Sequence, residues 1–470
     1  MAPSPTARRR SARVLALALA GAAAAAAACS SDADVRGLTA PAATNAPFLV
    51  RYVALGNSIT AGFQSSGIND STQRASYANL LARAAGVRFA YPALLNPGCP
   101  APLTNLLTQT RVGGVTADVC PGRLAGPAAP TTDLLNNVAV PGANSFDPIG
   151  AGVGTTAGSI GGYSALTRVI LGNLTQVQRA VQANPTFASV WIGNNDVLSF
   201  AIGGDTATRN AAGTTILNRI TLPAVFAANY AAMMDQLVAG SPGLRTGTRG
   251  TTARGVLIGV VDVTNTPQLI QLSVFNPAST ATGANAFNPA AAATLRAIFG
   301  VSPAGPRPAT FAITFNANCA ASQAAISFAA LSQVAAALPA AASGFAFNCG
   351  PGASAVPAQI LDDAERGVFV ARVAAYNTYI RAKADSLGFL YYDPNVRLGA
   401  LRATGAIPPF VNLTSTGQPF GGFISLDGVH PSTRTHAILA GDLRDSLNAK
   451  YGATIPAIDT AGLWTGAPTF

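Results

Sequence analysis

The sequence predicts an α/β fold in which helices cover both faces of a parallel sheet. Three observations predict it. Apolar runs of strand length alternate with helical patterns between residues 48 and 450. A composition that is 49% hydrophobic and 10% charged over 470 residues supplies a large core and is too apolar for disorder. Two of the apolar runs stop on Gly beside a polar residue and a third on Pro-Gly, and in such sheets a ligand crevice opens at the carboxyl ends of the strands.

The elements follow in order. Phe48 to Leu55 reads as the first strand and stops at Gly56-Asn57-Ser58. Tyr77 to Ala85 is helical, and Asn137 to Val140 is a short strand closing on Pro141-Gly142. A helix over Leu174 to Gln182 leads to a strand over Ala188 to Ile192, which ends in Gly193-Asn194-Asn195-Asp196. Then come a helix over Ala224 to Val238 and a strand over Gly255 to Val261, closed by Asp262. Asp262 either lines the crevice or makes a helix or turn contact. Asp196 reads as a backbone partner that holds Asn195 in place. A long helix over Ala364 to Leu387 carries Arg366 and Arg372 on a solvated face. A strand over Phe389 to Tyr392 and a helix over Ser432 to Lys450 complete the series.

Residues 266–355 break the alternation. They are rich in Ala, Pro and Asn, and Arg296 and Arg307 are their only charges. That is far longer than an ordinary connection, so the segment reads as an insertion beside the crevice. Within it Leu331 to Phe347 is apolar, but it contains Pro339 and Gly344 and consists mostly of Ala. No membrane span is expected there.

The N-terminus reads as a targeting segment. Arg8, Arg9, Arg10 and Arg13 precede an apolar stretch from Val14 to Ala28, too short to span a bilayer stably. Small residues run into Cys29, as at a bacterial lipoprotein cleavage site, although Ala26 stands where Leu is usual. The alternative is plain secretion, with Cys29 incidental. The expected organisation is a signal peptide over 1–28, a tether over 29–47, one domain over 48–450 and a tail over 451–470. Either route exports the chain, to the cell envelope through a lipid anchor or to the medium.

Export suits the cysteines. Cys29 aside, Cys99, Cys120, Cys319 and Cys349 allow three pairings. The local pairing, Cys99–Cys120 and Cys319–Cys349, is the expected one, and free buried thiols are the alternative. No Cys-x-x-Cys occurs and there are only two His, which disfavours a metal site. Loss of residues 1–28 removes four Arg and no acid, taking the formal charge from +10 to +6. The remaining Arg are scattered, so nucleic acid is not an expected partner. No cofactor is expected, and the oligomeric state is open.

With only His430 and His436 present, a general base near neutral pH has two candidates. His430 lies in Asp427-Gly428-Val429-His430-Pro431-Ser432, a loop broken by Gly428 and Pro431, with Ser432 placed to cap the next helix. In a turn, Asp427 three residues earlier can set its carboxylate against the imidazole. His436 falls inside the following helix and reads as structural.

Gly56-Asn57-Ser58-Ile59-Thr60-Ala61-Gly62 resembles the nucleophile block of the GDSL-type, or SGNH, hydrolases. Gly193-Asn194-Asn195-Asp196 is similar to that family's Gly-x-Asn-Asp block, and Asp427-Gly428-Val429-His430 to its Asp-x-x-His block. Gly142 resembles the single-glycine block between them. All four stand in the family's order across residues 48–450, outside the insertion. The resemblance implies a flavodoxin-like three-layer α/β/α fold and a serine ester hydrolase, either carboxylesterase or lipase. It implies Ser58 as nucleophile, His430 as base and Asp427 as its orienting acid. It also implies an oxyanion hole formed by the N–H groups of Ser58 and Gly142 and the Asn195 amide. Asn57 departs from the family's usual Asp, which leaves open any hydrogen bonding that rested on that carboxylate. The insertion would shape an acyl pocket or a lid, which favours lipid or other carboxylic esters. Polysaccharide O-acetyl esters, or a non-catalytic surface-binding role, are the alternatives.

Overall fold

The computed structural model describes residues 46–460, apart from 107, 117, 124–133, 151–165, 173, 204–219, 246–253, 276–294, 303–304, 309, 320–321, 350–359 and 414–417. All of these belong to one unit, Thr44–Phe470. The expected signal peptide, most of the tether with Cys29, and residues 461–470 of the tail lie outside the described residues.

Among the described residues four strands form the central sheet: β1 (Tyr52–Gly56), β2 (Phe187–Trp191), β3 (Gly255–Ile258) and β4 (Leu390–Tyr392). They lie in the order β1-β2-β3-β4, and every pairing is parallel. The expected strand at Asn137 to Val140 is an extended segment with a single parallel bridge, Ala54 to Asn137. Its backbone still follows the free edge of β1. Ala54 N–H donates to Asn136 O at 2.7 Å, Val138 N–H to Ala54 O at 2.9 Å and Val140 N–H to Gly56 O at 3.1 Å. Counted with this segment, the order along the sheet is 2-1-3-4-5, the flavodoxin-like order. It reverses direction at β1, which places a crevice at the end of that strand.

The side chains of β1 alternate between two apolar layers. Val53 and Leu55 face a layer built with Val177, Phe200, Phe226, Met233, Tyr376 and Ile380. These come from α3 (Gln176–Gln182), α4 (Asn195–Gly203), α5 (Pro223–Gly240) and α6 (Asp363–Leu387). Tyr52 and Ala54 face Tyr77, Leu80, Leu81, Leu439, Leu443 and Leu447, from α2 (Tyr77–Ala84) and α7 (Thr433–Tyr451). The result is three layers, α/β/α.

Several boundaries move for local reasons. The first strand starts at Tyr52 rather than Phe48, because Pro47 at N1 sets a 3-10 turn over Pro47–Leu49. Phe48 and Leu49 are apolar because they are buried in that turn. Thr175 caps α3 and shortens the expected helix by two residues; its hydroxyl takes Gln178 N–H while Gln178 bonds back to Thr175 N–H. Asp362 and Glu365 make the same reciprocal cap on α6, and Gly388 ends that helix at φ 70°. Arg366 and Arg372 are half-buried rather than solvated, and Arg366 bonds Gln323 of the inserted segment.

The insertion has its own interior. Leu269–Gln271 pairs antiparallel with Ala325–Ser327, which pairs with Ile360–Leu361. Phe299, Phe315, Leu331, Val334 and Phe347 form an apolar cluster with Phe410, Phe420 and Ile424 from the segment leading to the Asp427 loop. Cys319 is bridged to Cys349 within this cluster, and Cys99 to Cys120 outside it, in the local pairing. Arg307 is buried and donates to Phe299 O at 2.7 Å and to the terminal carbonyls of the helix Phe328–Ala337, the compensation a buried guanidinium needs. Among the described residues no helix is long and apolar enough to cross a membrane.

Candidate active site

Ser58 sits on a turn that the sequence makes tight. At Gly56 an added Cβ would lie 2.3 Å from Thr60 Oγ1 and 3.0 Å from Trp191 O, so no side chain fits there. Asn57 then caps the short helix α1 (Ser58–Ala61), its Oδ1 accepting Ile59 N–H at 3.1 Å, and Gly62 ends it at φ 90°. Asn57 thus supplies the cap acceptor that a carboxylate would, while its Nδ2 is buried without a partner. Gln176 Oε1 receives Gly56 N–H at 3.0 Å and ties the strand end to α3.

The second arm comes from the loop before α7. Ser425 N–H donates to His430 O at 2.9 Å, and Gly428 turns the chain at φ 74°. A Cβ on Gly428 would meet Gln268 and Phe420, so the loop and the insertion are in close contact there. Inside the loop Asp427 Oδ1 accepts Val429 N–H at 3.0 Å, His430 N–H at 2.8 Å and Ser425 Oγ–H at 3.1 Å. Oδ2 accepts Ser66 N–H at 2.8 Å and lies 2.8 Å from His430 Nδ1. The other ring nitrogen, Nε2, lies 2.8 Å from Ser58 Oγ. The Ser58 hydroxyl, 372 positions from His430 in sequence, forms one continuous chain with the imidazole and the carboxylate. Burial raises the Asp427 carboxyl, but the His430 ring and the backbone donors outweigh it and hold it well below the usual carboxylate range.

His436 does not join them. It lies on α7 with Nδ1 accepting Tyr77 N–H at 3.2 Å, and burial pushes its pKa down to about 3, so it stays neutral. Asp262 caps a 3-10 turn through Thr264 N–H at 3.0 Å, the turn contact rather than a crevice position.

The proposed donors converge on the end of β1. The bond from Val140 N–H to Gly56 O brings Gly142 to it, and Gly142 takes φ 85°, where a glycine is favoured. Asn195 is the first residue of α4, a helix the sequence reading missed because it starts directly on the polar block. Its Nδ2 donates to Ala143 O at 2.8 Å, beside Gly142. Asp196 is a backbone partner as expected, of the Gly142 loop: its carboxylate accepts Ser145 N–H at 2.8 Å and Ser145 Oγ–H at 2.7 Å, which anchors that loop to α4.

Burial pushes the Asp196 carboxyl up to about 6, against bonds from Ser145 and Thr221. It pushes Asp147 up to about 7, with the Asp196 charge adding to the effect. A carboxyl raised above its unfolded value of ~3.9 contributes stability that is present below that value and lost as pH rises through the folded value. Asp196→Asn removes this titration. The stability of the variant relative to wild type is therefore expected to climb on the order of 2–3 kcal/mol between pH ~4 and pH ~7 in thermal melts. A difference that stays flat would mean that Asp196 is charged throughout.

Sequence reading also missed Ser66, Ser425 and Gln176. Nothing in the local pattern marks them, because their partners lie far away in the chain.

A family profile described as GDSL-like Lipase/Acylhydrolase matches residues 52–301. A search of curated proteins gives no match.

Proposed function

The chain belongs to the GDSL-like lipase/acylhydrolase family, whose members hydrolyse acyl esters, and on that premise we propose that it is an exported serine ester hydrolase working through Ser58, His430 and Asp427. One observation carries this reading: the two 2.8 Å contacts that link Ser58 Oγ to His430 and His430 to Asp427.

Ser58 Oγ attacks the acyl carbonyl while His430 Nε2 takes its proton. His430 Nδ1–H donates to Asp427 Oδ2, which fixes the tautomer and stabilises the imidazolium. The oxyanion is held by Ser58 N–H, Gly142 N–H and Asn195 Nδ2, each such donor lowering the barrier by about 3–4 kcal/mol. His430 returns the proton to the leaving alkoxide, and water activated by the same ring then hydrolyses the acyl-enzyme.

The substrate class is a lipid or other carboxylic ester with an apolar acyl chain. It is supported by the aromatic cluster of the insertion, whose Phe420 abuts Gly428 of the base loop. A fluorophosphonate probe followed by peptide mapping tests the nucleophile, with Ser58 as the expected modified residue; modification elsewhere, or none, refutes the assignment. A panel of p-nitrophenyl esters tests the substrate. Preference for butyrate or longer chains is expected, and preference for acetate would move the reading to O-acetylesterase.

The destination is the cell envelope, through lipid on Cys29. Two disulfides suit an oxidising compartment. Cys29→Ala is expected to shift the protein from the membrane to the soluble fraction, and unchanged membrane association would end the anchor proposal.

A further inference from the structure

Ser65 and Ser66 are non-glycine residues in the left-handed region, at φ 53° and 54°. Such residues stay there only when their surroundings over-determine the conformation. Gln64 and Gly67 close the turn with mutual backbone bonds of 2.8 and 3.0 Å. Its contact with the reaction machinery is Ser66 N–H on Asp427 Oδ2, the oxygen that also faces His430 Nδ1. Ser425 Oγ reinforces it, accepting Ser65 N–H at 2.9 Å while donating to Asp427 Oδ1.

The disulfide-closed segment 99–120 grips the turn from behind. Leu103 N–H donates to Ser65 O and Cys99 N–H to Ile68 O, both at 2.8 Å. Arg111 Nη1 donates to Ser66 O at 3.0 Å and to Ala101 O at 2.8 Å. Its Nη2 meets Asp118 at 2.7 Å, but the Asp118 side chain is 72% exposed and that of Arg111 only 11%. The ion pair is therefore weak, and the sheltered carbonyls are the contacts that matter. Ser66 is pinned at both ends, its N–H by the acid and its C=O by the guanidinium.

We propose that Arg111 is a positioning residue for the triad acid, acting through Ser66 on Asp427. The proposal rests on the triad reading above. Without Arg111, Ser66 relaxes out of the left-handed region and turns its N–H away from Oδ2, so the carboxylate is less well aimed at the ring.

The test compares full-length Arg111→Met, which keeps the apolar stem, with Arg111→Lys, which keeps a charged donor. Three quantities are read: kcat and KM on p-nitrophenyl butyrate, the melting temperature, and the proton NMR signal of His430 Nδ1–H. With two histidines in the chain, loss of that signal in His430→Ala assigns it. Arg111→Met is expected to lower kcat on the order of 10²-fold with KM within about twofold, and to displace the signal. Arg111→Lys recovers part of both. Adding Ser66→Gly to Arg111→Met also recovers part, because glycine takes the left-handed conformation unaided. Wild-type kcat and an unmoved signal in folded Arg111→Met overturn the proposal and leave the hydrolase reading standing. If Arg111→Met does not fold, the same two readouts on Arg111→Lys decide, wild-type values in both overturning it. The signal is read without substrate, so a wild-type chain that hydrolyses no ester would fail the hydrolase reading while the signal still judges Arg111.

Discussion

Ser58→Ala lowers kcat for p-nitrophenyl ester hydrolysis on the order of 10⁶-fold and abolishes fluorophosphonate labelling. The expectation follows from the 2.8 Å contact between Ser58 Oγ and His430 Nε2. Alanine leaves no atom to attack the carbonyl, and what remains is the donor cluster acting on a water molecule. His430→Ala costs a similar factor, and the double variant is no slower than the worse single one, because the groups act as one unit. The fold survives Ser58→Ala, since the cap on α1 belongs to Asn57. His436→Ala is the contrast. It opens a cavity beneath α2 and α7, where His436 is fully buried, and lowers the melting temperature with kcat little changed. Loss of turnover in His436→Ala with full activity in His430→Ala would reverse the assignment of the base.

Asp427→Asn has the second largest effect, a fall in kcat on the order of 10⁴-fold with little change in KM. The hydrogen bonds dictate how the amide sits. Oδ1 receives two backbone N–H groups and the Ser425 hydroxyl, so the amide oxygen stays there. Nδ2 then occupies the place of Oδ2, facing Ser66 N–H and His430 Nδ1. As a donor it can only meet an unprotonated Nδ1, which puts the ring proton on Nε2 and takes the acceptor away from Ser58. Ser66 N–H loses its partner as well, costing about 1–3 kcal/mol of stability. The sign with pH is fixed by the depressed Asp427 carboxyl. The wild type's advantage is present above the unfolded carboxyl value of ~3.9 and is lost as pH falls below it. Melts and kinetics of Asp427→Asn at neutral and acidic pH check both halves; a kcat within tenfold of wild type would remove Asp427 from the triad.

The legible part of this molecule is the part that local chemistry dictates. The strand at β1 can be read because five consecutive residues are buried and a glycine with no room for a Cβ ends them. The Ser58, Gly142, Asn195 and Asp427–His430 blocks can be read because each pairs a turn former with a reactive or donor group, and the structure brings them to one strand end. Less legible was the start of β1, where Pro47 overrode an apolar run. The α4 helix was hidden by a block that served turn, donor and helix start together. Contacts such as Ser145 to Asp196 or Arg111 to Ser66 have no trace in a local pattern, because nothing near either partner announces the other.

The inserted segment keeps most of its apolar interior apart from the two layers that sandwich the sheet, while Leu269 and Ala325 of its small sheet reach into one of them. That partial separation divides the molecule into a part that carries the proposed triad and a part proposed to set substrate preference. Side chains of the second part can be exchanged, by selection or by an engineer, without reopening the packing that aims Ser58. Because Phe420 and Ile424 belong to the inserted cluster and lead into Ser425, the two parts join along a short stretch that ends at the base loop, in addition to the contacts at Leu269, Ala325 and Gln323. New substrate preference can therefore be sought up to that stretch and should stop there.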